Sequence, residues 1–300
     1  MTLPDRARSL ADDVLFPAAA SVDRADRVPE EHFEQLDRAG LYYVGGLDRA
    51  VLGPIVEILA GGCLATAFVW IQHQAVGRRG AGIARSAARR SGLLVRPTHG
   101  GYQLDGVVPW VTGWGILDVF QLAAYDPLDD SVKFFLLDAS APVKAARLDL
   151  IAAHASRTVT LTFREHFVVA DRFTHALPLT EWQHREAPGS ALNGFLALGV
   201  ASRCLRLMDS PPALSAALDR CRAALIAADA ASTPAARAAV SELAVRCAAS
   251  LAVHAGSRSV LAGSAASRLA REATFLLVFG TRPLIRDSLL SRLATAPDGS

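Results

Sequence analysis

The amino-acid order predicts an α+β chain in three parts: an N-terminal helical domain, a small central β-sandwich or barrel, and a C-terminal helical bundle. Two observations lead there. Apolar residues recur at helical spacing up to about Gly92, switch to alternation with turn signals between short runs, and return to helical spacing after Pro188-Gly189. The chain has 300 residues, which suits two or three sub-domains that share packing. The divisions fall at 1–95, 96–180 and 181–300.

In the first part, Leu10, Val14 and Leu15 sit at helical spacing. Pro29 followed by Glu30-Glu31 marks a helix start, the two acids favouring the positive end of the helix dipole. Phe33 and Leu36 give this short helix its apolar side, and Gly40 stops it. Leu52, Ile55, Val56, Leu59 and Cys63 carry the period on. Residues 66–73 are apolar on most faces, which predicts burial.

The middle part begins near Val95. Residues 102–106 alternate and end in a turn, and 107–112 form a second extended run. Residues 118–125 read as a strand closed by Asp126-Pro127-Leu128-Asp129-Asp130. Residues 132–137 and 158–169 follow, with threonine at every second position from Thr158 to Thr162 as for a strand with one wet face. In the last part, 193–208 is one long helix, Pro211-Pro212 and Thr233-Pro234 punctuate the next two, and a final helix follows Pro283. Val240, Leu243, Cys247 and Leu251 make an apolar stripe along an Ala-rich helix, the pattern of a bundle.

Composition narrows the function classes. Half the residues are hydrophobic and a fifth are charged, as in a globular chain. Net charge is +2 with no basic run or aromatic-interleaved patch, so no nucleic acid is expected. Arg78, Arg79, Arg85, Arg89 and Arg90 cluster, a pattern commoner on a solvated face than around an anion. The most apolar runs, 116–125, 195–201 and 275–279, fall short of the ~20 residues of a spanning helix. No membrane span is expected. Cys63, Cys204, Cys221 and Cys247 make no C-x-x-C pair and have no histidine at ligand spacing, so no metal site is expected. The opening residues lack a signal-peptide hydrophobic region, and a cytoplasmic location is expected. His73, His166 and His254 lie on apolar elements, where a hydrogen-bonded structural role is usual.

Several short motifs, in order, resemble the acyl-CoA dehydrogenase family over nearly the whole chain. Gly101-Tyr102-Gln103-Leu104-Asp105-Gly106 and Trp110-Val111-Thr112-Gly113 look like its strand pair that reaches the flavin. Residues 155–163 and 168–172 look like its closing strands, and 197–201 like the helix that opens its bundle. Residues 268–273 and 279–286 resemble its final helix pair and the loop between. The resemblance implies FAD held by Trp110, Thr112, Gly113, Arg258 and Thr281. An indole packs on a flat ring, a hydroxyl tunes the ring edge, and Arg258 reaches a pyrophosphate from the place of the family's glycine-rich phosphate contact. Strand alternation puts Trp110 and Thr112 on one face. Also implied are an acyl-CoA or other acyl thioester substrate, oxidoreductase chemistry at its CH–CH group, a place in fatty acid metabolism, and a homo-oligomer or a hetero-oligomer with a homologue.

The sequence departs from the family at the base. Family dehydrogenases remove a weakly acidic proton alpha to the thioester with a glutamate, most often just before a Gly-Thr pair. Here that loop reads Val278-Phe279-Gly280-Thr281, and residues 189–195, the other family position, hold no acid. Glu186 falls outside the expected turn, and Glu272 and Asp287 read as helix-end charges. The catalytic residue is therefore unassigned. The segment after His73 is shortened, and Arg96-Pro97-Thr98 is all that remains of a flavin-contacting stretch. Three readings stay open: a thioester-oxidising flavoprotein, a catalytically degenerate partner subunit of an active homologue, or a flavin monooxygenase on the same scaffold.

Overall fold

The structure, a computed structural model, describes residues 1–74, 81–84 and 92–294, with the backbone alone at 73, 81–84 and 185–189. The arginines at 78, 79, 85, 89 and 90, the shortened segment after His73, and the side chains of His73 and Glu186 lie outside the described residues.

The helical front runs α1 (Leu3–Leu10), a π-helical turn, α2 (Phe16–Val22), α3 (Glu30–Arg38), α4 (Arg49–Gly62) and α5 (Leu64–His73). A capping box starts α1: the Asp5 N–H donates to Thr2 Oγ1, and the Thr2 N–H donates to the Asp5 carboxylate at 2.9 Å. Helix α3 carries Glu30 and Glu31 in its first turn, as the sequence requires, and the chain turns at Gly40 with φ +67°. Helix α5 is buried on every side: Leu64, Ala67, Phe68, Val69 and Trp70 are all within the core, and the Trp70 indole donates to the Leu41 carbonyl at 3.0 Å. Its lack of a polar face in the sequence has this cause.

The described residues hold eight strands in one sheet: β1 (Ala81–Ala84), β2 (Leu93–Thr98), β3 (Gly101–Val111), β4 (Val119–Asp126), β5 (Ser131–Asp138), β6 (Lys144–Arg147), β7 (Val159–Val169) and β8 (Phe173–Pro178). Their order is β6-β7-β3-β2-β4-β5-β8, with β1 also beside β4. Strand β1 corrects the sequence reading, which extends the helical pattern to Gly92; its short Ala-Gly-Ile-Ala run pairs parallel with β4 and carries no alternation of its own. The sheet has two halves, β6-β7-β3-β2 and β4-β5-β8, joined where Leu94 pairs with Tyr125. Tyr102 of β3 closes them on each other, its ring 5.0 Å from Phe135 of β5 and 5.5 Å from Phe173 of β8.

After β8 come α6 (Leu179–Gly189), α7 (Gly194–Arg206), α8 (Pro212–Ala227), α9 (Thr233–Ala255), α10 (Ala265–Val278) and α11 (Pro283–Ala294). Helix α6 starts well before the Pro188-Gly189 break. It covers the outer face of β5 through Trp182, 5.2 Å from Phe134. Helices α4 and α7 touch backbone to backbone: a Cβ on Gly199 would stand 2.3 Å from the Glu57 carbonyl oxygen, so only glycine permits the approach. Residues Thr233–Val260 are long and apolar enough by composition to cross a membrane, a stretch the sequence reading passes over; within the fold α9 is packed by α7, α8, α10 and α11.

Ion pairs fasten the front to the rest. Asp12 holds Arg203 at 2.6 Å and Arg206 at 2.8 Å on α7. Glu57 receives Arg222 through two bonds, 2.7 and 2.8 Å, and Asp23 pairs with Arg271 of α10. Asp26 pairs with Arg147 and Arg157 of the sheet region.

Candidate functional site

The end of β3 does not keep the alternation the sequence implies. A register shift falls between Val108 and Val111 where β3 runs beside β7, and Trp110 adopts φ +61°. The left-handed backbone turns the indole outward, 55% exposed, while Thr112 is buried at 8%. Trp110 and Thr112 therefore do not share an environment on one face. The extra residue of the bulge breaks the period-two rule on which that expectation rests. A bulky residue held at positive φ is strained, by about 1–3 kcal/mol, and persists where surrounding structure imposes it.

Thr112 stands in a short hydroxyl chain. Its Oγ1 is 3.2 Å from Thr158 Oγ1, which is 2.8 Å from Ser156 Oγ. Three hydroxyls share two hydrogen bonds, so one O–H proton remains for an acceptor beyond them among the described residues. Gly113 follows with φ +88°, its N–H on the Ser156 carbonyl at 2.9 Å. A Cβ there would meet Leu117 at 2.8 Å and Val69 at 3.5 Å, which places this turn directly against α5.

The neighbouring residue of α5 reaches the other end of the chain. The Phe68 ring lies edge-on to Phe279 at 4.7 Å and to Phe275 at 5.5 Å, and Phe275 stacks on Phe279 at 5.8 Å. Adjacent α5 residues thus touch the Gly113 turn and the turn between α10 and α11. The position that carries the glutamate in the resembled family is filled by an aromatic wall. Thr281 O–H donates to the Leu277 carbonyl at 3.1 Å, closing the end of α10.

Arg258 is not brought to this group. It lies exposed on the turn after α9, with no side-chain hydrogen bond or ion pair among the described residues. Gly256 beside it has φ +61° and open space where a Cβ would be, so its backbone is accessible. His254 is exposed too, not packed on an apolar element; it occupies the last turn of α9, where the stripe has ended. His166 is half-buried with its ring edge-on to Phe163 at 5.6 Å, and burial lowers its pKa.

Glu272 also differs from the sequence reading. It is no helix-end charge but sits inside α10, 4% exposed, with Oε1 accepting from Arg268 at 2.8 Å. Burial pushes its carboxyl pKa up, against the pull of Arg268, and Oε2 has no partner. Asp287 is exposed beside Arg286.

Sequence reasoning missed Arg237. It lies in α9, 2% exposed, three positions before Val240 on the apolar stripe. Nη1 donates to the Ser190 carbonyl at 2.7 Å and Nη2 to the Phe279 carbonyl at 2.9 Å. One guanidinium therefore ties the segment that opens α7 to the turn after α10, the two places where the family carries its base. Extending the stripe one turn back would have flagged an arginine on a buried face.

The residues present suit a flavin in part: an exposed indole as a platform and a hydroxyl chain with a proton to donate, with the accessible glycine turn and Arg258 lying apart from them.

Comparison with known proteins agrees with the architecture. No protein-family model matches the chain, and no curated protein does. Solved structures match along nearly its whole length. Butyryl-CoA dehydrogenase from Megasphaera elsdenii is 16% identical with a TM-score of 0.79, covering 98% of this chain and 97% of that one. A glutaryl-CoA dehydrogenase from Mycobacterium smegmatis, in complex with FADH2, is 16% identical at 0.77, covering 97% and 93%. Dibenzothiophene monooxygenase from Paenibacillus sp. A11-2 is 13% identical at 0.76, covering 96% and 95%. The chain has the acyl-CoA dehydrogenase fold: a helical front, a central sheet and a helical bundle.

Proposed function

We propose that the chain is a FAD-dependent oxidoreductase of the acyl-CoA dehydrogenase type that takes an acyl thioester near the end of β3 and the α10–α11 turn. The supporting observation is the strained Trp110, exposed beside the Thr112 hydroxyl chain, at a turn that α5 couples to Phe279. Bound FAD supplies two-electron chemistry. In this reading Trp110 would hold the ring system by stacking and Thr112 would offer a hydrogen bond to its edge, while Gly113 sets their turn against α5. Arg258, which the fold does not bring to this group, has no role in holding the ring, and Thr281 orders its loop through the Leu277 carbonyl. Phe279, backed by the buried Phe68 and Phe275, would shield the acyl chain from water.

Phe279 favours a second reading. An aromatic wall where a base is needed suits a reaction that removes no alpha proton, such as a flavin monooxygenase, or a degenerate subunit partnered with an active homologue. One experiment separates them. The purified chain is examined by visible absorption, alone and after anaerobic addition of acyl-CoA. Flavin bleached by the thioester supports the first reading. Flavin that ignores thioesters, yet consumes oxygen once reduced, supports the monooxygenase. Protein that stays colourless with added FAD, and gains flavin only with a homologue, leaves the partner-subunit reading.

A further inference from the structure

Arg237 is a buried cation with unusual surroundings. Burial, then the nearby charge of Arg282, pushes its pKa down to about 10, so its setting works against the positive charge it carries. Two of its N–H groups meet neutral carbonyls, and Nε has no partner at all. No carboxylate among the described residues pairs with it. Elsewhere the chain treats buried arginines differently: Arg203 has Asp12 and Arg268 has Glu272.

The space beside Arg237 is lined by donors. Gly280 has φ +61° and is exposed. The three heavy atoms nearest to a Cβ built on Gly280 are Asn193 Nδ2 at 3.2 Å, Arg237 Nη2 at 3.8 Å and Arg237 Nη1 at 3.9 Å. All three are N–H donors. The Asn193 side chain has no hydrogen-bond partner among the described residues, so it too has donor capacity to offer. Absence of a side chain at Gly280 leaves room on an exposed turn over these three nitrogens, beside the Phe279 carbonyl that accepts from Arg237 Nη2. Next to it stands Phe279, half-buried and apolar, backed by the buried rings of Phe68 and Phe275.

We propose that the Gly280 turn is a carboxylate-binding subsite, in which Arg237 and Asn193 hold one oxygen of a ligand's carboxylate while its hydrocarbon part lies along Phe279. A charge-assisted bond to a desolvated guanidinium is strong, and an anion here offsets the cost of burying Arg237. The charge at this turn is opposite to that of a catalytic carboxylate, so the subsite selects for an anionic ligand group and against a second buried cation. It needs no flavin, and its test is independent of the flavin reading.

The test titrates the purified, flavin-free chain with hexanoate, with acetate and with inorganic phosphate at constant ionic strength, following thermal unfolding. Hexanoate is expected to raise Tm more than acetate or phosphate. Arg237→Gln should abolish the hexanoate response and Asn193→Ala should reduce it several-fold, while Arg258→Gln leaves it unchanged. Should Arg237→Gln fail to fold, the Arg237 Nε–H resonance of the wild-type chain in a ¹⁵N spectrum gives the same information, since it should shift on hexanoate and not on chloride. An equal response in wild type and Arg237→Gln, a response to phosphate alone, or an Nε–H resonance that never moves would overturn the proposal.

Discussion

Two buried arginines of the bundle, Arg203 and Arg237, solve the same problem in opposite ways. Arg203 gives Nη2 to Asp12 at 2.6 Å and Nε to the Gly61 carbonyl at 2.6 Å, and its guanidinium lies 4.1 Å over the Phe16 ring. Nε, Nη2 and the guanidinium face are all used, and the partners come from the helical front. Arg237 has two carbonyls, an unpartnered Nε and the exposed Gly280 turn beside it. Desolvating a cation costs several kcal/mol unless an anion compensates it. Where the chain supplies the anion, the arginine joins the layers. Where it does not, the arginine stands beside the exposed Gly280 turn, and in the proposed subsite a ligand supplies one.

The sharpest way to break this contrast is to remove the anion at the joined site. Asp12→Ala leaves Arg203 buried with its charge uncompensated and is expected to cost about 3–5 kcal/mol in denaturant unfolding. The double change Asp12→Ala with Arg203→Met should recover much of that loss. A cost near zero for Asp12→Ala would mean that Arg203 is neutralised some other way. Replacing Arg237 by Met is expected to matter far less, within about 1.5 kcal/mol, because two lost hydrogen bonds are offset by removal of an unpaired buried charge. Should it destabilise as much as Asp12→Ala, Arg237 is structural cement and the contrast fails.

Trp110 sharpens the same distinction between stability and service to a ligand. Trp110→Gly relieves a left-handed backbone and is expected to stabilise the apo chain by about 1 kcal/mol in thermal unfolding, while weakening FAD binding. A variant that is both less stable and unchanged toward FAD would assign the strain to folding alone.

The smallest effect lies in the helical front. His32 is buried with Nδ1 2.8 Å from Thr66 Oγ1, and burial lowers its pKa. A histidine lowered in the folded state favours the neutral ring there. Its contribution is fully present above the ordinary value of about 6.5 and is lost as pH falls through that value toward the lowered one. Wild-type Tm should fall modestly over this interval, and His32→Gln should flatten that part of the profile.

The layout was legible because each layer leaves a periodic mark. Helix α5 shows itself by lacking a polar face, β7 by its alternating threonines, and α9 by the stripe through Val240 and Leu251. Strand β1 was not legible, since four small residues pairing in parallel depend on β4 for their definition. The site was legible only in pieces. The motif names Trp110, Thr112 and Gly113 as candidates, yet the bulge that separates Trp110 from Thr112 has no sequence mark, because a positive φ at tryptophan is imposed by its neighbours. Glu272 was misread because nothing short of the packing shows that its flank of α10 faces inward. Arg237 was passed over because an Ala-rich helix hides how deep one arginine lies.

The most direct test of the account is FAD titration followed by intrinsic tryptophan fluorescence, comparing wild type with Trp110→Phe. The chain has four tryptophans, and the account predicts that most of the flavin-dependent quenching in the wild type disappears in the variant. Quenching of equal depth in both proteins would contradict a flavin seated at the end of β3.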